Sequence, residues 1–208
     1  KTSLNEKDIV LNVALELNNL LKSKYPDKKI MMTRSTDVFL TLEQRVDIAN
    51  SVKLAENEAI VYVSIHANSA FDKKAKGFET WYLSPGYRRN ILKETDVDAE
   101  ILPILNSMLE EEFTTESILI AKFIDDGLKK QVGDLTKSRG LKEEEWFVVR
   151  NANMPSVLVE VGFVSNPEEA LLLSDRNYLR KIALGIYNGV SSFVTHFEHA
   201  RGFTISQW

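Results

Sequence analysis

The chain has 208 residues, 44% hydrophobic and 27% charged, with 26 basic against 30 acidic side chains and a net charge of −4. That composition suits one α/β domain with a sizeable core and excludes the strongly basic footprint of a nucleic-acid binder; no apolar run approaches the roughly 20 residues of a membrane span. There is no cysteine, which excludes disulfides, thiolate zinc sites and a thiol nucleophile, and no signal peptide is read at the start.

Helical spacing of Ile9, Val10, Val13, Leu17, Leu20 and Leu21 predicts a first helix over Glu6–Lys24. A strand is expected at Lys29–Arg34. Thr41-Leu42-Glu43-Gln44 reads as a capping box that opens a helix running to about Ala55. Glu58–Ile65 is a near-continuous apolar run rich in β-branched residues, the pattern of a strand covered on both faces. Gly77–Ser84 is a further strand, ended by Ser84-Pro85-Gly86. A long helical region runs from about Val97 to Val132. Trp146–Arg150 and Ser156–Phe163 read as two more strands. Asn166-Pro167-Glu168-Glu169 sets an N-cap, a proline in the first turn and an acid three residues after the cap. The last helix is expected over Arg176–Phe197, and Glu198–Trp208 shows no clear period. Apolar runs alternating with amphipathic stretches give an α/β fold: a single domain, with a mostly parallel twisted sheet flanked by helices on both faces.

His66 closes one apolar strand, in Ser64-Ile65-His66-Ala67-Asn68. In open α/β sheets, ligands bind beyond the carboxyl ends of the strands. The competing reading is a hydrogen-bonded structural histidine. Glu160 interrupts the apolar strand Val157-Leu158-Val159-Glu160-Val161-Gly162-Phe163. A buried carboxylate either gains a partner or has its pKa raised. A pKa near neutrality suits a general acid or base, whereas an arginine partner would make Glu160 structural. Glu6 opens the first helix, where acids are favoured by the helix dipole alone. His196 and His199 form a His-x-x-His pair, read as a solvated helix end.

Together these segments resemble the zinc-dependent N-acetylmuramoyl-L-alanine amidases called amidase type 3. Leu4-Asn5-Glu6-Lys7-Asp8 is similar to the family's second ligand segment. Thr33-Arg34-Ser35-Thr36-Asp37, with Leu42, Arg45 and Ala49-Asn50, resembles the stretch that follows. Ser64–Asn68, Gly77–Ser84, Arg139-Gly140, Val149–Pro155 and Val159–Asn166 match later segments in the right order. The resemblance covers nearly the whole chain. It implies that Glu6 and His66 are zinc ligands and Glu160 the catalytic carboxylate. It further implies Asn68, Arg139 and Asn153 as substrate contacts, with loop hydrogen bonding the alternative for each. The family's first ligand, a histidine in an Asp-Pro-Gly-His-Gly segment, would lie before Lys1, together with the first strand.

The implied reaction is hydrolysis of the amide between N-acetylmuramic acid and L-alanine in peptidoglycan, for wall remodelling or daughter-cell separation, in the cell envelope. Residues 87–115 resemble the inserted helical segment of cell-division amidases. There an acid, here Glu110 or Glu111, would reach the zinc until a protein activator displaces the helix. A solvated acidic helix end is the alternative. Two other functions are kept open: a wall-binding or regulatory module that retained the fold without catalysis, and another zinc peptidase of peptidoglycan.

Overall fold

The computed structural model describes residues 4–55 and 58–205. Helix α1, Glu6–Lys24, buries Ile9, Val13 and Leu17, the predicted stripe. Helix α2, Leu42–Asn50, is shorter than expected but opens on the predicted capping box, with Thr41 and Gln44 exchanging side-chain to backbone hydrogen bonds. Residues 29–34 pair with no described strand. They run irregularly across the surface, with Met31 half exposed.

Strand β1 is Tyr62–Asn68 and β2 is Phe78–Tyr82. The long helix α3 spans Leu102–Val132. Strand β3, Ser138–Glu143, has no counterpart in the sequence reading. Its segment Ser-Arg-Gly-Leu-Lys-Glu carries a single large apolar residue, and it lies at a sheet edge, where one row of backbone groups needs no partner. The expected strand at Trp146–Arg150 is instead a four-residue helix, α4, over Phe147–Arg150. Short apolar runs do not separate the two alternatives by period. Here burial decides, because Val148 and Val149 pack with Val46, Leu83 and Leu158. Strand β4 is Ser156–Phe163, as predicted. Helix α5 is Pro167–Ser174, and the predicted Asn166 side chain caps it by accepting the Glu168 and Glu169 N–H groups. Helix α6 runs Arg176–Ile205, so the expected irregular tail is helical up to Ile205.

The sheet order is β1-β4-β2-β3. β4 pairs parallel with β1 and antiparallel with β2, and β2 pairs parallel with β3. The sheet is therefore mostly parallel, with one reversal between its two halves. Side chains alternate across it. Val157, Val159 and Val161 face the main core, built with Phe78, Ile120, Ile124, Leu128, Ile182 and Ile186 of the long helices. Leu158 faces the opposite, smaller cluster under α2 and α4. Glu160 lies two residues on, on that thinner side. Helices α3 and α6 cross closely: a Cβ added at Gly127 would fall 2.2 Å from the Gly185 carbonyl oxygen. Among the described residues, no helix is long and apolar enough to cross a membrane.

Candidate active site

Three of the sequence-predicted residues meet at the carboxyl end of β1. His66 and Glu160 are direct partners across the β1–β4 pairing. They therefore share a face and lie side by side. Glu6 reaches the same place from the start of α1. Its Oε1 is 3.3 Å from His66 Nδ1 and also accepts the Ala67 N–H. The segment after residue 33 secures that end of α1: Arg34 donates to the Lys7 carbonyl, and Lys7 pairs with Asp37. Arg45, whose Nε donates to the Leu40 carbonyl, also acts electrostatically on Glu6.

His66 is oriented from behind. Ser64 Oγ lies 2.9 Å from His66 Nε2, so with Nδ1 protonated the imidazole donates to Glu6 and accepts from the Ser64 hydroxyl. The hydrogen bond with His66 holds the Glu6 carboxyl below the ordinary range, so Glu6 is an anion at neutral pH. Ser64 is a site residue that sequence reading passed over. Its signal is the period of the strand, since it stands two positions before His66 on the same face.

Glu160 behaves differently. Burial pushes its carboxyl up from 4.5 to about 7, with the His66 charge opposing and the Glu6 and Glu79 charges adding to the rise. Its Oε2 is buried with no hydrogen-bond partner among the described residues. No arginine bonds Glu160 among the described residues; the Arg139 Nε donates instead to Glu79 Oε1 at 2.6 Å. A carboxyl half-protonated near neutrality, next to an imidazole and an ionised carboxylate, can exchange a proton with a substrate.

The spacing of Glu6 and His66 can be tested against a metal. Zinc takes imidazole nitrogen at about 2.0–2.1 Å and carboxylate oxygen at about 2.0–2.2 Å in a tetrahedral shell, whose ligands are about 3.3 Å apart. The observed separation, 3.3 Å, equals that edge and is long for an N–H···O hydrogen bond. The Ser64 bond to the far imidazole nitrogen is the outer contact that fixes a metal-binding histidine. Among the described residues, no third histidine, cysteine or carboxylate completes a ligand group with them. The donor types and the spacing of these two residues thus fit zinc.

The other predicted residues are placed as follows. The Asn68 side chain accepts the Ser69 N–H and its carbonyl accepts the Val164 N–H, which closes the turn beyond His66. The Asn153 N–H is held by Asn50 Oδ1, with Asn153 itself exposed. Arg139 lies over the Phe163 ring, its guanidinium carbon 5.2 Å from the ring centre. Glu110 is buried against Arg89, which donates to both of its carboxylate oxygens at 2.8 Å, ahead of the start of β4. Its carboxylate is engaged there rather than beside Glu6 and His66. Glu111 is exposed. On α6, His196 packs near the Phe123 ring of α3 and His199 is exposed, apart from the site.

Residues 1–192 match a family described as N-acetylmuramoyl-L-alanine amidase. The chain is 28% identical over 215 residues to the N-acetylmuramoyl-L-alanine amidase AmiA of Escherichia coli strain K12, covering 94% of this chain and 71% of that protein. In structure it resembles the catalytic domain of CwlV, an N-acetylmuramoyl-L-alanine amidase from Paenibacillus polymyxa. The TM-score is 0.70 at 29% identity, over 91% of this chain and 85% of that one. The CwlD amidase of Clostridioides difficile, solved in complex with the GerS lipoprotein, is similar at a TM-score of 0.69 and 27% identity, over 93% of this chain and 88% of that one.

Proposed function

The chain belongs to the N-acetylmuramoyl-L-alanine amidase family, and on that premise we propose that Glu6, His66 and Glu160 carry out its hydrolysis of the muramoyl–alanine amide of peptidoglycan. The observation that bears most weight is Glu160, a carboxyl raised to about 7 with an unpartnered buried oxygen, in register with His66.

Glu6 and His66 would hold a zinc ion, with a third ligand that the family resemblance puts before Lys1. Such an ion supplies Lewis-acid polarisation of the scissile carbonyl and makes a nearby water more acidic. Ser64 holds the imidazole plane steady. Glu160, as the carboxylate, takes the proton of the attacking water. As the acid, it returns that proton to the departing alanine nitrogen, whose own basicity makes it a poor leaving group until protonated. Burial lets one group serve in both directions near neutral pH. A non-catalytic wall-binding module has no use for a desolvated carboxyl of this kind, and its cost would be unrepaid.

Peptidoglycan as substrate sets the cell envelope as the place of action. Residues 87–115 would form a regulatory segment, open to a protein partner through Ile104 and Met108, which are more than 60% exposed. Deleting Tyr87–Thr114 tests this: a folded deletion should hydrolyse faster, and an unchanged basal rate would remove the regulatory reading.

The zinc reading is tested by metal analysis. Purified full-length natural protein should carry close to one zinc per chain. His66→Ala and Glu6→Ala should each lower zinc affinity at least tenfold, while Ser64→Ala lowers it less. Full zinc retention in His66→Ala would remove His66 from the ligand set.

A further inference from the structure

Glu79 has a charge that the reaction scheme does not use. It is 1% exposed, on a central strand, and stands directly opposite Glu160 across the β2–β4 pairing. Two carboxylates in that relation repel. A buried acid there needs compensation, and Glu79 has it twice. Arg139 Nε donates to Oε1 at 2.6 Å, and Lys142 Nζ lies 2.6 Å from Oε2. Both cations come from β3, the edge strand beyond β2. His66, Glu160, Glu79 and Arg139 therefore form a row across four neighbouring strands.

Arg139 is held at three points. Its stem packs on Gly77, where an added Cβ would fall 2.9 Å from Arg139 Cγ. Its Nε is fixed by Glu79, and its guanidinium carbon lies over the Phe163 ring. Phe163 is brought to that face by a bulge, for the pairing slips by one residue between His66 and Asn68. Gly162 sits in the bulge at a φ of +148°, a conformation open to glycine. Glu169 fixes the bulge by accepting the Phe163 N–H at 2.7 Å. Yet neither terminal nitrogen of Arg139 bonds any described residue, and the side chain is 31% exposed.

We infer that Glu79 is a positioning residue that presents the terminal fork of Arg139 to a carboxylate of the stem peptide, so that the enzyme selects substrates bearing that carboxylate. The pieces match this role. A guanidinium with its Nε tied down and its carbon held over an aromatic ring has little freedom left to lose on binding, and its two free N–H ends match a carboxylate. Glu79 neutralises one of the two neighbouring cations, so the group as a whole remains positive. Arg139 stands two strand spacings, about 10 Å, from the β4 line that carries Glu160. At about 3.5 Å of chain per residue that distance is about three residues, and the Arg139 side chain shortens it by leaning back to Glu79, so its fork suits a carboxylate about two residues beyond the scissile amide.

This inference rests on the amidase reading, and its test separates the two. The probes are a muramoyl peptide whose residue after alanine carries a free carboxylate, and the same compound with that carboxylate amidated. Wild type should show at least tenfold higher kcat/KM on the free acid, through KM, since a charge-assisted pair is worth about that factor or more. Arg139→Met and Arg139→Lys should bring the ratio close to one. Glu79→Ala should do the same, whereas Glu79→Gln, whose amide oxygen still accepts from Nε, should keep most of it. Equal kcat/KM on both compounds by wild type would overturn the inference and leave the amidase intact. If wild type cuts neither, binding of the two compounds to Glu160→Gln decides: tighter binding of the acid supports the carboxylate site, and equal binding overturns it.

Discussion

Glu160→Gln should lower the turnover of purified peptidoglycan by about 10²–10⁴-fold, the ordinary contribution of a positioned general acid–base group. The fold should survive, and in the metal-free protein it should strengthen. The folded-state carboxyl titrates near 7 against 4.5 ordinarily. Between those values the folded state holds more protons than the unfolded one, so the stability of wild type falls as pH rises from about 4.5 through 7 and is level above. Glutamine is free of that penalty. With chelator present, Glu160→Gln should exceed wild type by up to about 3 kcal/mol at pH 8, and by almost nothing near pH 4.5. Denaturant titrations at the two pH values measure this. A variant less stable than wild type at pH 8 would mean that the Glu160 carboxylate is favourably paired. An active variant would remove it from the reaction.

The second large effect lies away from the site. Arg89 and Glu110 are buried to 4% and 1% side-chain exposure and bonded through both carboxylate oxygens. Arg89 Nη1 also donates to the Ala152 carbonyl, close to those of Val149 and Met154. The pair thus ties the segment after β2 and the first half of α3 to the loop that leads into β4. Arg89→Met or Glu110→Leu should each cost about 3–5 kcal/mol, because the partner is left as a lone buried charge. The double variant should recover part of this. Recovery should be incomplete, since the carbonyls of residues 149–154 would lose their donor. Unfolding by denaturant, with single and double variants side by side, gives the coupling directly. A loss below 1 kcal/mol for both single variants would mean that the segment opens and lets water in.

The sequence was most legible where one residue broke a pattern. Glu160 stands out because a charge interrupts the run Val157–Phe163, whose six other residues carry no polar side chain, and the structure puts it in strand β4, partly buried. His66 was readable from its position at a strand end. Glu6 was not, because an acid in a first helical turn is ordinary; its meaning depends on a histidine 60 residues away. The same distance hid Glu79 and Arg139, which only the pairing of β2 with β3 and β4 brings together. Arg89 and Glu110 were hidden for the opposite reason. Glu110 reads in sequence as a zinc-blocking acid or a solvated helix end and Arg89 carries no signal, and only burial in the same spot makes them a pair. Local pattern also misled at Trp146–Arg150, where four apolar residues serve a helix turn as well as a strand. Past Phe197 the apolar period fades, yet α6 continues, with Lys28 reaching across to Glu198.

The central claim is that the site of Glu6, His66 and Glu160 cuts the amide joining glycan to peptide. Purified peptidoglycan digested by the zinc-loaded full-length natural protein and analysed by mass spectrometry tests it most directly. The account predicts intact stem peptides with a free N-terminal alanine and glycan strands left uncut, with both products absent in Glu160→Gln. Fragments cut within the stem peptide or within the glycan, or the same products from the variant, would contradict it.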